Sequence, residues 1–225
     1  MKKISKMNEI AWILGILICT FGVALCTKAS FGLSMIAAPI YIIHIKLSEF
    51  FPWYTQGTSE YIFQIALIIA TAIACRRFKL KYAFSLITAI LSGFALDFWF
   101  SVLGGNGMYT HFFMRITAFI SGELLTTLAI AFFFRTTLPA QGYELLVSEI
   151  SSNFKIDINR VKLINDIIYF IVSILLALIL NSSLQGIGIG TVIITIVNAP
   201  LIALFGKILD KFFIFDSLFT KKSAN

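Results

Sequence analysis

Six long apolar runs constrain this chain more than any other feature. They occupy residues 10–27, 59–75, 82–103, 112–134, 162–181 and 187–206. Each has about the 20 residues that a helix needs to cross a hydrocarbon layer about 30 Å thick. In such a layer every backbone N–H and C=O must find its partner within the chain, which leaves helices or a closed barrel. A barrel would alternate apolar and polar residues in segments of about ten, whereas these runs are continuous. Of the 225 residues 59% are hydrophobic and 13% charged, far from the composition of a soluble domain. The sequence therefore predicts an all-α integral membrane protein with six transmembrane helices, a single polytopic domain over 1–225.

The net charge of +7 does not point to nucleic acid, because the basic residues gather at the ends of apolar runs. Lys2, Lys3 and Lys6 precede the first run, and Arg76, Arg77, Lys79 and Lys81 link the second to the third. Lys155, Arg160 and Lys162 precede the fifth, and Lys207, Lys211, Lys221 and Lys222 follow the last. The positive-inside rule places all four groups, and both termini, in the cytoplasm of a cell expected to carry this chain in its cytoplasmic membrane. The partner named by composition is the lipid bilayer. The first run follows lysines as a signal peptide does, but "VALCTKAS" forms a poor cleavage site and five runs follow, so an uncleaved helix is expected.

Charge parity fixes the status of two weaker apolar segments, 31–47 and 138–152. Two full runs already separate the N-terminus from the Arg76 group, and both ends are cytoplasmic, so 31–47 is expected not to cross. The same count between the uncharged loop 104–111 and Lys155 makes 138–152 a short re-entrant or non-crossing segment. The uncharged turn "NSSLQG" is then external.

The result is two units of one plan, about 8–103 and about 112–207, each with three crossings, so the second is inverted relative to the first. "KASFGLSMIAAPIYI" from Lys28 and "RTTLPAQGYELLVSE" from Arg135 stand 107 residues apart, and "FSLITAILSGFALD" from Phe84 and "GTVIITIVNAPLIA" from Gly190 stand 106 apart. The tail, about 207–220, with basic ends and aromatics, reads as an interfacial helix.

Through "FGVALCTKASFGLS" in the first unit and "GIGIGTVI" with "NAPLIALFGKILD" in the last, nearly the whole chain resembles the YczE/YyaS/YitT-type bacterial integral membrane proteins. It departs from that pattern where Gly142 and Glu144 replace a Pro and an Asp, and where "NAP" replaces Gly-Pro near Ala199. The resemblance implies a fold and a membrane location, and no particular activity.

Ionisable residues within apolar spans are functional candidates by default. Glu123 lies at the centre of its run, with Thr126 and Thr127 on its helical face, and suits a proton-coupling group; the alternative is a protonated acid bonded to a neighbouring helix. Asp97 and Arg115, on successive antiparallel spans, are expected to meet as a structural ion pair or an outer gate. Asn165 and Asp166 fit a water-facing helix start. Asn198, next to the Ala199-Pro200 break, suits a midplane ligand, because Pro frees a carbonyl, or equally the packing of a Pro kink. Gly186, Gly188 and Gly190 lack the strand and lysine of a phosphate loop and suit close packing. Glu144 and Glu149 point about 140° apart on a helix of about 100° per residue, so Glu144 is read as inward and Glu149 as facing water or the Lys155 region.

His44 and His111 are not at metal-ligand spacing, and no protease, hydrolase or paired-carboxylate motif appears, so neither enzymatic activity nor a metal or cofactor is expected. Cys19 and Cys26 lie about 10 Å apart along one helix, too far for a disulfide. With Ala11, Gly15 and Gly22 they form a small-residue stripe of the kind that lets helices approach closely.

Inverted repeats with broken segments recur in secondary transporters, whose sites form where discontinuous helices end. The function expected is a permease for a small solute, working by alternating access. Its binding residues would be Ser30, Gly32 and Ser34 from the first broken segment, Gln141, Gly142 and Glu144 from the second, and Asn198. The alternative is a substrate-capture subunit of an ATP-driven vitamin-type importer, docking through the stripe on the first helix; a channel is a third option. A homo-oligomer or partner membrane subunits are compatible with each.

Overall fold

A computed structural model describes residues 7–105, 107–138, 141–181 and 186–216. In chain order its helices are α1 (Asn8–Ala29), α2 (Ala37–Phe50), α3 (Gln56–Cys75), α4 (Leu80–Val102), α5 (Phe112–Phe133), α6 (Gly142–Phe154), α7 (Ile158–Leu176, extended by a π turn over Ala177–Asn181) and α8 (Ile189–Phe212). Six of these, α1, α3, α4, α5, α7 with its π turn, and α8, are long and apolar enough to cross a bilayer, and they coincide with the six runs. The chain is an all-helical, multi-pass membrane protein.

The two weak segments form short helices. With 14 and 13 residues, α2 and α6 reach only about 20 Å at a rise of about 1.5 Å per residue, less than the hydrocarbon thickness. Pro39 sits in the first turn of α2, where a missing N–H costs nothing. Pro139, the lysines at 2, 3, 6, 221 and 222, and most of the "NSSLQG" turn lie outside the described residues.

One boundary differs from expectation. No separate interfacial helix starts near 207: α8 runs on through Lys207 to Phe212, and Phe213 leaves it extended, at φ −122° and ψ 153°. The cause is an anchor late in α8, where Arg135 Nε and Nη2 each donate at 2.6 Å to the two oxygens of Asp210, tying the end of α5 to the end of α8. The chain then passes the start of α1, whose Met7 and Asn8 N–H groups face the carbonyls of Ile214 and Asp216 at 3.4 Å.

At the centre α1 packs along α5, and each has a second long partner, α4 for α1 and α8 for α5. α3 packs on α4 and on α6; α2 packs on α3 and α7; α6 also packs on α7. Among the described residues α7 and α8 do not form a packed pair.

The α1–α5 seam is set by glycine. A Cβ on Gly22 would lie 2.6 Å from the carbonyl oxygen of Gly122, and one on Gly122 would lie 2.7 Å from that of Gly22. Gly15 admits the Phe133 ring in the same way, with a Cβ only 2.8 Å from its edge. Ala11, Gly15, Cys19, Gly22 and Cys26 are all buried. The small-residue stripe is therefore consumed inside the molecule, which corrects its reading as a docking face for an importer scaffold.

Candidate functional site

α6 begins halfway through the bundle. The Gly142 N–H donates to Gln64 Oε1 at 3.0 Å, and Gln141 Nε2 donates to Ser92 Oγ at 3.1 Å. Gln64 and Ser92 are near the midpoints of α3 and α4, and Gln141 also reaches the Cys19 thiol, near the midpoint of α1. Four residues earlier, Thr137 is still at the end of the bundle, its N–H donating at 2.7 Å to Oδ1 of Asn8, the first residue of α1. From mid-depth α6 runs back to that end, where Glu149 meets the α3–α4 loop. Glycine at 142 permits this, since a Cβ would lie 2.9 Å from the Gln64 carbonyl.

A polar cluster surrounds this buried helix start. Glu60 Oε1 accepts from Gln64 Nε2 at 2.9 Å and from the Tyr143 hydroxyl at 2.8 Å. Glu144 follows, and across from it α7 contributes Asn165, Asp166 and Tyr169, with Lys162 within electrostatic reach. Glu144 Oε2, Asp166 Oδ1, Asn165 Nδ2 and Tyr169 Oη are buried without a hydrogen-bond partner. Glu60, Glu144 and Asp166 are each only partly covered, so part of each remains accessible. Asn165 and Asp166 do not form the water-facing helix start expected of them, because α2 and α6 both pack on α7.

Glu60, Gln64, Tyr143 and Tyr169 were not singled out from sequence. The available signal was Glu60 with Gln64 at i,i+4 inside an apolar run; Glu60 stands at the edge of its run and passes for a boundary.

Glu149 does not face the Lys155 region. Its carboxylate is 2% exposed and is gripped by Lys79 Nζ at 2.7 Å, the Tyr82 hydroxyl at 2.7 Å, and Lys81. Burial by itself raises this carboxyl, but the hydrogen bonds from Lys79, Lys81 and Tyr82 outweigh it and hold it at about 2, against an ordinary 4.5.

The opposite end carries a separate cavity of about 190 Å³, lined among others by Cys26, Thr27, Ser30, Gly32, Tyr41 and Gly188. Ser30 ends α1 in the left-handed conformation, φ 54°. Gly32, at φ 114°, lies where a Cβ would be 2.7 Å from the Gly188 nitrogen. Phe31 O accepts from the Gly190 N–H at 2.8 Å, and the Leu33 N–H donates to Gly186 O at 2.8 Å, so this segment is stitched to the start of α8. The expected packing role of Gly186, Gly188 and Gly190 is met here. Ser34 does not line the cavity; its Oγ accepts from the Ala37 N–H at 3.3 Å and caps α2. The two broken segments therefore do not meet in one site: Ser30 and Gly32 sit at one end, and Gln141, Gly142 and Glu144 at mid-depth.

Asp97 and Arg115 are not an ion pair. Asp97 accepts from the Thr55 hydroxyl at 2.6 Å and the Gly57 N–H at 2.8 Å, which caps the start of α3. Arg115 donates to the carbonyls of Ala29 and Ser30 at 2.8 and 2.9 Å, which caps the end of α1. Each charge is drawn to the helix end whose dipole and free backbone groups complement it. Lys28 is likewise occupied, donating to Gly105 O at 2.7 Å.

Glu123, 7% exposed, has a buried Oε1 without a partner and is within electrostatic reach of Cys26, which lines the cavity. Thr126 and Thr127 do not hold it: their hydroxyls donate back to the carbonyls of Gly122 and Glu123, at 2.8 and 2.9 Å. Asn198 has a buried, unpartnered Oδ1 on α8, and no hydrogen bond joins it to the cluster. No group of three His, Cys, Asp or Glu side chains able to hold a metal occurs among the described residues.

The chain is 24% identical over 204 residues to "Uncharacterized protein YyaS" of Bacillus subtilis (strain 168), a match that covers 89% of this chain and 93% of that protein. No solved structure matches it. Both the match to YyaS and a family profile extending over residues 6–207 agree with the resemblance read from the motifs, and the chain belongs to the family of unknown function DUF6198.

Proposed function

We propose that this protein is a permease of the cytoplasmic membrane that moves a small solute by alternating access. The observation that carries the reading is the half-depth start of α6, ringed by carboxyl, amide and phenol groups of which several are unpartnered. Hydrocarbon penalises such groups heavily, so they persist in membrane proteins mainly where they serve a substrate or a proton. A discontinuous helix ending at mid-depth is also where transporter sites form.

Two further features support it. Glu123 is within electrostatic reach of Cys26, which lines the cavity, and Gln141 reaches Cys19, about 10 Å from Cys26 along α1. The packing pairs also suit an inverted repeat: exchanging α1–α4 with α5–α8 in order turns α1/α4 into α5/α8, α2/α3 into α6/α7 and α3/α6 into α7/α2, and returns α1/α5 to itself. In this reading Glu144 and Asp166 bind solute beside Gln141 and Glu60, Glu123 couples protons, and the basic ends face the cytoplasm.

The test is uptake in proteoliposomes. The purified protein is expected to carry solute by itself, and Glu123→Gln is expected to abolish uptake driven by a pH gradient while preserving folding. Uptake that is indifferent to Glu123→Gln removes the proton role; absence of flux across a metabolite panel removes the permease reading.

A further inference from the structure

We propose that the mid-depth cluster takes a small organic cation, an amine in its ammonium form, held between Glu144 and Asp166. This deepens the permease reading and rests on the cluster being its solute site.

The supply of donors and acceptors favours a cation. A helix N-terminus ordinarily attracts anions through its free N–H groups, but here the Gly142 N–H is taken by Gln64, and the Glu144 carboxylate turns back to its own N–H. An anion entering the cluster would meet Glu60, Glu144 and Asp166 with those donors already engaged. Lys162, the cation whose charge reaches both Glu144 and Asp166, lies over the Phe134 ring, 5.7 Å from its centre. Glu60 is satisfied by Gln64 and Tyr143, while Glu144 Oε2 and Asp166 Oδ1 have no donor. These are the two acceptors that an ammonium group would satisfy.

Two further polar side chains on α7 belong to the cluster. Asn165 and Tyr169, 8% and 5% exposed, carry an unpartnered Nδ2 and Oη, and Glu144 and Asp166 are both within electrostatic reach of Tyr169. Asn165, Asp166 and Tyr169 lie on one arc of the helix. A small molecule with its own polar groups would satisfy the acceptors and donors that the cluster leaves unpartnered. Metal is a poor occupant, since the described residues bring no three His, Cys, Asp or Glu together. An organic cation fits the aromatic lining: the Phe63 ring centre lies 6.4 Å from that of Tyr143 and 6.0 Å from that of Tyr169, and aromatic faces attract cations.

The experiment is equilibrium binding to the detergent-purified full chain of three probes matched in shape: phenethylammonium, 2-phenylethanol and 3-phenylpropionate. The ammonium is expected to bind saturably and at least tenfold more tightly than the alcohol, with the carboxylate weakest. Asp166→Asn and Glu144→Gln, near-isosteric changes, are each expected to weaken ammonium binding at least tenfold, and Tyr169→Phe to weaken it less. Glu49→Gln, at the far end of α2, is expected to leave it unchanged. Tighter or equal binding of the alcohol or carboxylate, no saturable binding of the ammonium, or affinity unaltered in both acid variants overturns the proposal. Ammonium binding without flux in proteoliposomes refutes the permease reading alone; flux of anions or neutral solutes without ammonium binding refutes this inference alone.

Discussion

At the scale of the residue, Asp97 and Arg115 are each settled by unsatisfied backbone at a helix end rather than by one another. Asp97 and Arg115 lie on successive helices, which is what made an ion pair the natural expectation, but α4 and α5 form no packed pair among the described residues. Each side chain instead caps a different helix, α3 and α1. A double-mutant cycle separates the two arrangements. Asp97→Ala is expected to cost about 0.5–2 kcal/mol as a lost N-cap, and Arg115→Ala about 0.3–2 kcal/mol as a lost cation at a helix C-terminus. Because they share no partner, their effects should add to within about 0.5 kcal/mol in detergent unfolding; a coupling above about 1 kcal/mol would restore the pair. Sequence could not show this, because the competing ligands are backbone N–H and C=O groups, which every residue carries.

At the scale of the element, what the bilayer demands was legible and what helix faces choose was not. The six spans follow from length and hydropathy, and the short α2 and α6 followed from charge parity. The α1–α5 seam was legible as a stripe because close approach requires small residues at helical spacing; Gly122→Leu should destabilise the fold by roughly 1–3 kcal/mol as overpacking, seen as a lowered melting temperature. The cluster around Gln141 was half legible, since nothing one-dimensional states that Glu60 and Gln64 of α3 turn toward α6.

The anchoring of α6 yields a pH prediction. The folded-state pKa of Glu149 is depressed, to about 2 from 4.5, so its contribution to stability is fully present above about pH 5 and is lost as pH falls toward 2. Proteolysis or hydrogen exchange of α6 should therefore increase between about pH 5 and pH 3. Glu149→Gln should show increased α6 opening already at pH 7 and little further change across that window; an unaltered pH response in the variant would mean that the Lys79, Lys81 and Tyr82 contacts do not anchor the helix.

At the scale of the molecule, the most informative feature is where the exchange of the two proposed units fails. α3 and α4 pack tightly enough that a Cβ on Gly93 would lie 2.6 Å from the Gly57 carbonyl, whereas their counterparts α7 and α8 form no packed pair among the described residues. For the permease proposed above, two units of one plan in unequal conformations would meet what alternating access requires, since exchanging the two conformations exposes a central site to the other side. On that proposal the closed α3–α4 seam is expected to open in the cycle. Tyr61 and Phe94 stack across it, ring centres 6.5 Å apart, which makes them suitable sites for a restraint. In a background with Cys19, Cys26 and Cys75 replaced by Ala, Tyr61→Cys and Phe94→Cys joined by a short bifunctional thiol reagent should stop uptake in proteoliposomes while solute binding in detergent persists. Cleaving a reducible version of the linker should restore transport. Undiminished uptake by the fully cross-linked protein would show that this seam stays closed throughout, and that the inequality of the two units is a fixed property of the fold rather than one stage of a cycle.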